Sequence, residues 1–266
     1  MTEQDPQTVI DAAHTAMEAA PEDTAARMRF YDRIADAELF VLLAQEAEGE
    51  TLTPQVFEVD GDSYVLAFDT EERLGQFAEG VAPYAALSGR VLAAMLAGQG
   101  AGLGLNLHVA PSSIMLPPAA MAWLAETLTS RPEQTQARPV QFGAPGASPP
   151  GILQALDAKL VAASGLATGA YLCGVEYDSG AKGHLLVFAN AQPWAEDALA
   201  KAVNEALTFS GLEAGVLDVV FLKDGEAALG KVQKVALRFD LPEPEQVQTL
   251  APSAPGMDPD KPPRLR

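Results

Sequence analysis

The pattern of apolar and polar positions is clearest in residues 56–77, where two apolar runs flank an acidic turn. The pair Asp60-Gly61 lies between β-branched and aromatic residues, which is a strong hairpin signal because glycine adopts positive φ without a Cβ clash. Asp69 ends the second run and Glu72 follows three residues later, so we expect Asp69 to cap a helix in a capping-box arrangement. The stretch therefore predicts a hairpin whose second strand leads directly into a helix.

Short helical and extended patterns alternate along the rest of the chain. Apolar residues at helical spacing predict helices over 9–20, 24–37, 89–97, 117–128, 152–163 and 193–209, with a further short helix ending at Gly230. Apolar runs predict strands over 38–44, 84–87, 103–109, 113–116, 168–177, 184–188, 216–222 and 232–239. Elements mixed in this way predict an α+β fold with two domains, each a small mixed sheet with helices packed against it.

Proline and glycine divide the chain into segments. Residues 131–150 are rich in both and lack periodicity, which predicts a linker. The chain has 266 residues, enough for two domains of ordinary size. The predicted segments are an N-terminal extension over 1–23, a first domain over 24–130, the linker over 131–150, a second domain over 151–240 and a disordered tail over 241–266.

The formal net charge of −19 and the pI of about 4.4 restrict the partners that the chain can bind. An acidic surface repels phosphate groups, so we expect neither nucleic-acid binding nor docking on an anionic membrane. The negative excess is concentrated in the first half, since no lysine precedes Lys159. This asymmetry suits a protein partner with a basic surface, and the alternative is an acidic surface that only keeps the chain soluble.

Two segments lack the spacing that a specific function would need. Four glycines over 98–104 miss the G-x-G-x-x-G spacing of a dinucleotide loop and follow a helix, so we expect helix termination and a close approach to a strand. Residues 91–125 contain no Asp, Glu, Lys or Arg, but Gly, Gln, Asn, His and Pro interrupt them repeatedly. Because no uniform stretch of about 20 apolar residues remains, we expect a buried helix and core strands there.

The metal-binding and nucleophilic side chains favour neither a metal site nor a thiol enzyme. His14, His108 and His184 lie on separate elements without a partner at i+3 or i+4, so neither a zinc site nor a cofactor is predicted. Cys173 is the single cysteine, and its place in an apolar strand predicts burial. A rhodanese-like sulfurtransferase, the least favoured enzyme alternative, needs Cys173 exposed in an anion-binding loop. The absence of a secretory signal favours the cytoplasm.

One constellation of polar side chains favours a ligand site. Two helix starts and one strand end carry it: Asp69, Thr70 and Arg73, then Ser88 and Arg90, then Asn106 and His108. If the preceding strands run parallel, these side chains gather at the carboxyl ends of the sheet, where α/β folds bind ligands. All of them except Ser88 are therefore candidate ligand-binding residues. The alternative is two helix caps and a hydrogen-bonded asparagine.

Several segments resemble one protein family. FDTEERL at 68–74 follows the predicted hairpin, FYDR at 30–33 and AELFV at 37–41 precede it, and GLN at 104–106 comes later. Together they resemble the SseB family, the enhanced serine sensitivity proteins, over about 25–130 and more loosely beyond 150. Asp69-Thr70 replaces the pair typical of the family, and Leu107 replaces a common proline. The resemblance implies a two-domain cytoplasmic bacterial protein with a link to amino-acid metabolism, and it implies no particular reaction.

These observations lead to three hypotheses. The favoured one is a non-catalytic cytoplasmic SseB-like protein with a binding or regulatory role. The second is an enzyme or small-ligand-binding protein whose site lies at Asp69, Arg73 and Asn106. The third is a regulator whose acidic first domain docks a basic partner. A deep pocket in which Arg73 and Arg90 converge would favour the second hypothesis.

Overall fold

A computed structural model describes residues 7–47, 49, 51–130, 137–146, 151–211 and 217–241. Their helices are α1 (Val9–Ala19), α2 (Thr24–Asp36), α3 (Glu71–Phe77), α4 (Gly89–Gln99), α5 (Pro118–Thr129), α6 (Ile152–Leu160), α7 (Glu196–Phe209) and α8 (Ala227–Val232). Their strands are β1 (Glu38–Leu42), β2 (Val56–Val59), β3 (Asp62–Phe68), β4 (Tyr84–Ser88), β5 (Gly102–Leu105), β6 (Ile114–Leu116), β7 (Pro139–Gly143), β8 (Gly169–Tyr177), β9 (Lys182–Ala189), β10 (Leu217–Leu222) and β11 (Leu237–Phe239). Short 3-10 turns cover Val161–Ala163 and Pro193–Ala195. The predicted α+β class is confirmed.

The first sheet has the strand order β4-β1-β3-β5-β6, and β2 also pairs with β3. β3 and β5 run parallel, whereas β1 and β2 are antiparallel to β3. Helices α1, α2, α4 and α5 pack on one face of this sheet in a single apolar core. Strand alternation explains which residues enter it: Leu39 and Val41 of β1 do, while Phe40 and Leu42 belong to the opposite face.

The second sheet has the strand order β10-β9-β8-β11, and β7 also pairs with β8. β9 and β10 run parallel, and β8 is antiparallel to β9. Helices α6 and α7 cover one face, and α8 packs on the other face. Among the described strands, each domain therefore contains one pair of parallel strands inside an otherwise antiparallel sheet.

Two predicted segments differ from the structure in the second half. The linker predicted over 131–150 contains β7, whose backbone pairs with β8, so this part belongs to the second sheet. The strand predicted over 232–239 is shorter, because α8 ends at Val232, a turn covers 233–236, and β11 forms only the end of the run. Most of the tail predicted over 241–266 lies outside the described residues, as do 131–136 and 147–150.

One predicted strand in the first domain also ends early. The run over 103–109 forms a strand only as far as Leu105. Asn106 and His108 have φ angles of 50° and 61°, which lie outside the extended region. The predicted strand is too long because apolar residues continue after Leu105, where β5 ends.

Helix α1, which lies in the segment predicted as an N-terminal extension, is part of the first domain. Helix α1 packs against α2, and Ile10 is buried in the first core.

The glycine-rich segment over 98–104 ends a helix and approaches a strand closely, as the sequence predicts. Gly100 ends α4 in a left-handed conformation, and a Cβ on Gly102 would lie 2.5 Å from the ring of Tyr64. Across the described residues, no helix has both the length and the apolar composition needed to cross a bilayer.

The helices of the two sheets are in direct contact. Helices α2 and α5 pack against α7, and Phe209 of α7 lies in the first core. Arg90 of α4 donates to both carboxylate oxygens of Glu205 in α7, over 2.7 and 2.8 Å. Lys159 of α6 donates to Asp36 of α2 over 2.5 Å. The two domains thus share an interface, and their separate folding remains a prediction.

Candidate functional site

The polar residues at the ends of β3 and β5 meet because those strands are parallel neighbours. Asp69 directly follows β3, and Asn106 directly follows β5. The backbone N–H of Asp69 donates to Asn106 Oδ1 over 3.0 Å. Asparagine tolerates the left-handed φ that ends β5 better than most residues do. The predicted meeting of these two positions at the sheet edge is confirmed.

An arginine between two aspartates forms the centre of this site. Arg73 Nη1 lies 2.8 Å from Asp69 Oδ1, and Arg73 Nη2 lies 2.6 Å from Asp11 Oδ2. The three side chains are at most 4% exposed. Thr8 donates its hydroxyl proton to Asp69 Oδ2 over 2.6 Å. Because a guanidinium presents several donors in one fixed plane, Arg73 orients carboxylates from two distant parts of the chain.

Neutral groups continue the network from Asn106 to the ion pair. Asn106 Nδ2 donates to Ser112 Oγ over 2.8 Å, and Ser112 Oγ donates to Asp11 Oδ1 over 2.5 Å. Asn106 and Ser112 are fully buried, so these bonds offset the cost of removing their polar atoms from water. We refer to the whole network as the Arg73 cluster, which consists of Thr8, Asp11, Asp69, Arg73, Asn106 and Ser112.

Burial and hydrogen bonding act in opposite directions on the pKa of Asp11. Burial raises this pKa, but hydrogen bonds from Arg73, Ser112 and the Thr8 backbone outweigh burial and hold the pKa at about 2. Burial also disfavours the charged form of Arg73, whereas its bonds to Asp11 and Asp69 raise its pKa above the ordinary value. Asp11 and Arg73 therefore remain charged at neutral pH.

Thr70, rather than Asp69, caps α3. The Thr70 hydroxyl accepts from the backbone N–H of Arg73 over 3.2 Å. The Asp69 carboxylate instead binds the Arg73 guanidinium and the Thr8 hydroxyl. The predicted capping box of Asp69 and Glu72 is therefore wrong. Both Asp and Thr are good cap residues, and the local sequence does not reveal which of them binds a distant group.

Arg90 contributes to a different set of ion pairs. Its guanidinium donates to Glu205 and, over 2.5 Å, to Asp36, so it joins α2, α4 and α7. These bonds raise the pKa of Arg90 above its ordinary value, although burial opposes them. Arg73 and Arg90 bind different carboxylates, and the structure does not show the convergence that would favour a ligand site formed by both.

The remaining candidate residue, His108, is held by its backbone. Its N–H donates to Ser113 Oγ over 3.1 Å, and its side chain is exposed. The residue predicted to cap α4 behaves as expected, since the Ser88 hydroxyl accepts from the Val91 N–H. Of the predicted set, the structure therefore joins Asp69, Arg73 and Asn106 by side-chain bonds.

The sequence-based prediction missed three members of the Arg73 cluster. Thr8 and Asp11 form a reciprocal capping box at the start of α1, and this T-x-x-D spacing is visible in the sequence. The spacing marks the helix start but gives no sign that Asp11 also binds Arg73. Ser112 lies in a loop after β5 and carries no local signal at all.

A small cavity lies between α2, α6 and α7. Its volume of about 80 Å³ is well below the roughly 300 Å³ or more of typical cofactor pockets. Asp32 lines it, and burial raises the pKa of this carboxyl group despite the nearby charge of Lys159. The Lys159 Nζ atom lies 2.5 Å from Asp32 Oδ1 without hydrogen-bond geometry.

The other reactive groups lie in structural positions. Cys173 of β8 is fully buried, as predicted, and burial raises its pKa to about 11. The sulfurtransferase alternative requires an exposed thiolate, and the structure does not provide it. His14 packs edge-on against Phe30, and His184 Nε2 lies 2.8 Å from the carbonyl oxygen of Pro145. The described residues contain no group of three His, Cys, Asp or Glu side chains arranged to hold a metal ion.

A comparison with known protein families finds a match in the first domain. Residues 12–123 match the family model of the SseB protein N-terminal domain. The matched range contains four members of the Arg73 cluster, whereas Thr8 and Asp11 precede it. No curated protein and no solved structure is significantly similar to the chain.

Proposed function

We propose that this member of the SseB family, identified by its N-terminal domain over 12–123, is a non-catalytic protein of the cytoplasm. It acts by binding a protein partner with a basic surface. Through that partner it regulates a step of amino-acid metabolism that affects the response of the cell to serine.

The observation that carries this proposal is the closure of the Arg73 cluster. A catalytic acid, base or nucleophile has to reach the substrate. The carboxylates of Asp11 and Asp69 are buried and are already bound by Arg73 and by hydroxyl groups. A pKa of about 2 also makes Asp11 a weak proton acceptor at neutral pH. The arrangement suits a cluster that fixes α1 to the sheet edge.

The charge of the molecule supports the type of partner. A net charge of −19 produces a negative field that accelerates encounter with basic proteins and repels nucleic acids. In the first domain, the five basic residues before residue 131 are all arginines, at positions 27, 29, 33, 73 and 90. Three of them, Arg29, Arg73 and Arg90, are already engaged in ion pairs.

Complementation of a strain that lacks the protein tests this proposal. We compare Asp69→Asn, which alters the cluster, with Leu96→Ala, which removes buried volume from α4 without touching the cluster. Growth in added serine is measured together with the amount of folded protein in each strain. If the cluster is structural, both variants restore growth in proportion to folded protein.

A different result would support the enzyme or small-ligand hypothesis. That result is an Asp69→Asn protein that folds to the wild-type level but does not restore growth, while Leu96→Ala does so at equal abundance. The matched core variant is needed because any destabilised protein loses cellular function through its abundance.

A further inference from the structure

The two faces of the first sheet are covered very differently. On one face, α1, α2, α4 and α5 enclose the main core. On the other face, α3 is the helix that packs on the strands, and it has only seven residues. Leu74 of α3 is buried there, and the Phe77 ring lies 5.2 Å from the Phe68 ring. This second face, which we call the open face, therefore keeps part of its apolar surface in water.

Strand register identifies the accessible side chains of the open face. Phe40 is paired with Ala86, and the Phe40 ring contacts the Tyr84 ring at 5.6 Å. Met115 is paired with Gly104, whose missing Cβ leaves space for Leu66 on this face. The accessible apolar residues are Phe40, Phe57, Phe77, Tyr84, Ala86 and Met115. Phe40, Tyr84 and Ala86 lie on neighbouring strands at one edge of the sheet, and Met115 lies on β6 at the other edge, with buried Leu66 of β3 between them. Groups of exposed apolar residues on one face mark protein interaction sites more often than scattered exposed residues do.

Carboxylates border these apolar residues. Glu38 shares its side of β1 with Phe40, and Asp62 shares its side of β3 with Tyr64, as strand alternation requires. Glu71 at the start of α3 interacts with the Tyr84 hydroxyl closely enough to raise the pKa of that hydroxyl. We call Glu38, Asp62 and Glu71 the rim.

The described residues of the open face supply no cation to balance the rim. Three of the arginines in the first domain, at positions 27, 29 and 33, lie on α2, which packs on the opposite face. Arg73 is buried against carboxylates, and Arg90 binds Asp36 and Glu205. An apolar centre with an acidic rim is complementary to a surface that presents apolar side chains together with lysine or arginine.

We propose that the open face is the docking surface for an amphipathic basic segment of a partner protein. Apolar side chains of that segment lie against Phe40, Tyr84 and Met115, and its lysines or arginines contact the rim. This assignment rests on the proposed function and specifies where the basic partner binds. A second copy of the chain is a poor occupant, because two rims of the same charge would face each other.

Binding of a labelled amphipathic Leu/Lys peptide to the full chain tests this surface. The test variants are Met115→Lys and Glu71→Lys, and the matched controls are Leu153→Lys on α6 and Asp197→Lys on α7. Met115 and Leu153 are 37% and 41% exposed, so this pair is matched in exposure and in added charge. We expect each test variant to weaken binding by at least about tenfold, and each control to change it less than about twofold.

Further measurements exclude simple charge attraction. A Ser/Lys peptide with the same charge binds at least about tenfold more weakly if the apolar centre contributes. Amide chemical shifts of the wild-type chain change mainly in β1, β4 and β6 when the Leu/Lys peptide binds. The shift map keeps the assignment testable even if a test variant does not fold.

Several outcomes would overturn the docking surface. Equal weakening in test and control variants would mean that net charge alone attracts the peptide. A further variant of the full chain changes Lys261, Arg264 and Arg266 to Gln. If this variant binds the peptide more tightly than the wild-type chain does, the basic C-terminal segment of the chain itself occupies the open face. Self-association abolished by Met115→Lys would identify a second copy as occupant. If the peptide binds to the second domain, the open face is not the docking surface, but the proposed binding of a basic partner still stands.

Discussion

The two pairs of parallel strands end in the same way but in different surroundings. After β5, Asn106 has a φ of 50°, and its Oδ1 accepts the backbone N–H of Asp69 beyond the neighbouring strand. After β9, Asn190 also has a φ of 50°, and its Oδ1 accepts the backbone N–H of Asp224 over 2.9 Å. In both domains an asparagine in a left-handed conformation therefore joins the ends of two parallel strands.

The difference lies in what covers these two asparagines. The Asn106 amide donates to buried Ser112 and leads into the Arg73 cluster, because α1 brings Asp11 over the strand ends. The Asn190 amide donates to Thr168 near the surface, over 3.1 Å. The same backbone junction is thus part of a buried ionic network in one domain and a solvated turn in the other. A polar constellation at parallel strand ends need not be a binding site, because a neighbouring helix can bury and neutralise it.

Removal of the central cation gives the largest expected effect. Arg73→Met leaves the Asp11 and Asp69 carboxylates buried without their cation, so we expect a loss of about 3–5 kcal/mol in the free energy of unfolding. Arg29→Met is the control, because its ion pair with Asp23 is 3.6 Å long and about half exposed, and we expect at most about 1 kcal/mol. Urea denaturation measures both. Equal effects would mean that the cluster contributes no more than a surface pair.

Matched alanine substitutions at the two strand ends give the next largest effect. Asn106→Ala removes two hydrogen bonds: the backbone N–H of Asp69 loses its partner, and Ser112 Oγ loses its donor but keeps its bond to Asp11. We therefore expect a loss of about 2–3 kcal/mol. Asn190→Ala exposes its former partners to water and costs about 1 kcal/mol. Glycine at either position tolerates positive φ, so it separates backbone strain from lost hydrogen bonds. A larger loss at Asn190 would contradict the comparison.

Acidification should reduce the stability that the Arg73 cluster contributes at the ends of β3 and β5, but not the stability of the Asn190 junction. The folded-state pKa of Asp11 is about 2, below its ordinary value of 3.8, so the unfolded chain takes up this proton first as pH falls. The resulting stability, about 2 kcal/mol, is present above about pH 4 and is lost as the pH falls towards 2. Urea denaturation as a function of pH checks this expectation. Asp11→Asn should flatten this part of the profile, whereas Asn190→Ala should shift the whole profile in parallel.

The smallest expected effect concerns the cap of α3. Thr70→Ala should cost about 1 kcal/mol, and Thr70→Ser should restore most of it, because either hydroxyl accepts from the helix N–H groups. Asp69→Asn should cost more than Thr70→Ala, because it removes the charge that pairs with Arg73. Thermal melts compare the three variants. If Asp69→Asn leaves the thermal stability unchanged while Thr70→Ala lowers it, Asp69 contributes little to the stability of the cluster.

Local signals in the sequence determined many of the elements. Asp60-Gly61 forms the hairpin turn with φ angles of 53° and 92°, and Gly100 ends α4 with a φ of 64°. Ser88 caps α4, and apolar neighbours place Cys173 inside β8. These features depend on residues within a few positions of each other, so backbone preference and hydrophobic periodicity are sufficient to predict them.

Tertiary structure alone decided which polar groups meet. Asp11 and Arg73 are separated by 62 positions, and Arg90 and Glu205 by 115, yet each pair is in hydrogen-bond contact. Strand register brings Asp69 beside Asn106, and the packing of α1 then adds Asp11. The packing of α7 against the first domain brings Glu205 to Arg90 and so separates the roles of the two arginines. Local periodicity encodes neither register nor helix packing, because both depend on residues that are distant in sequence.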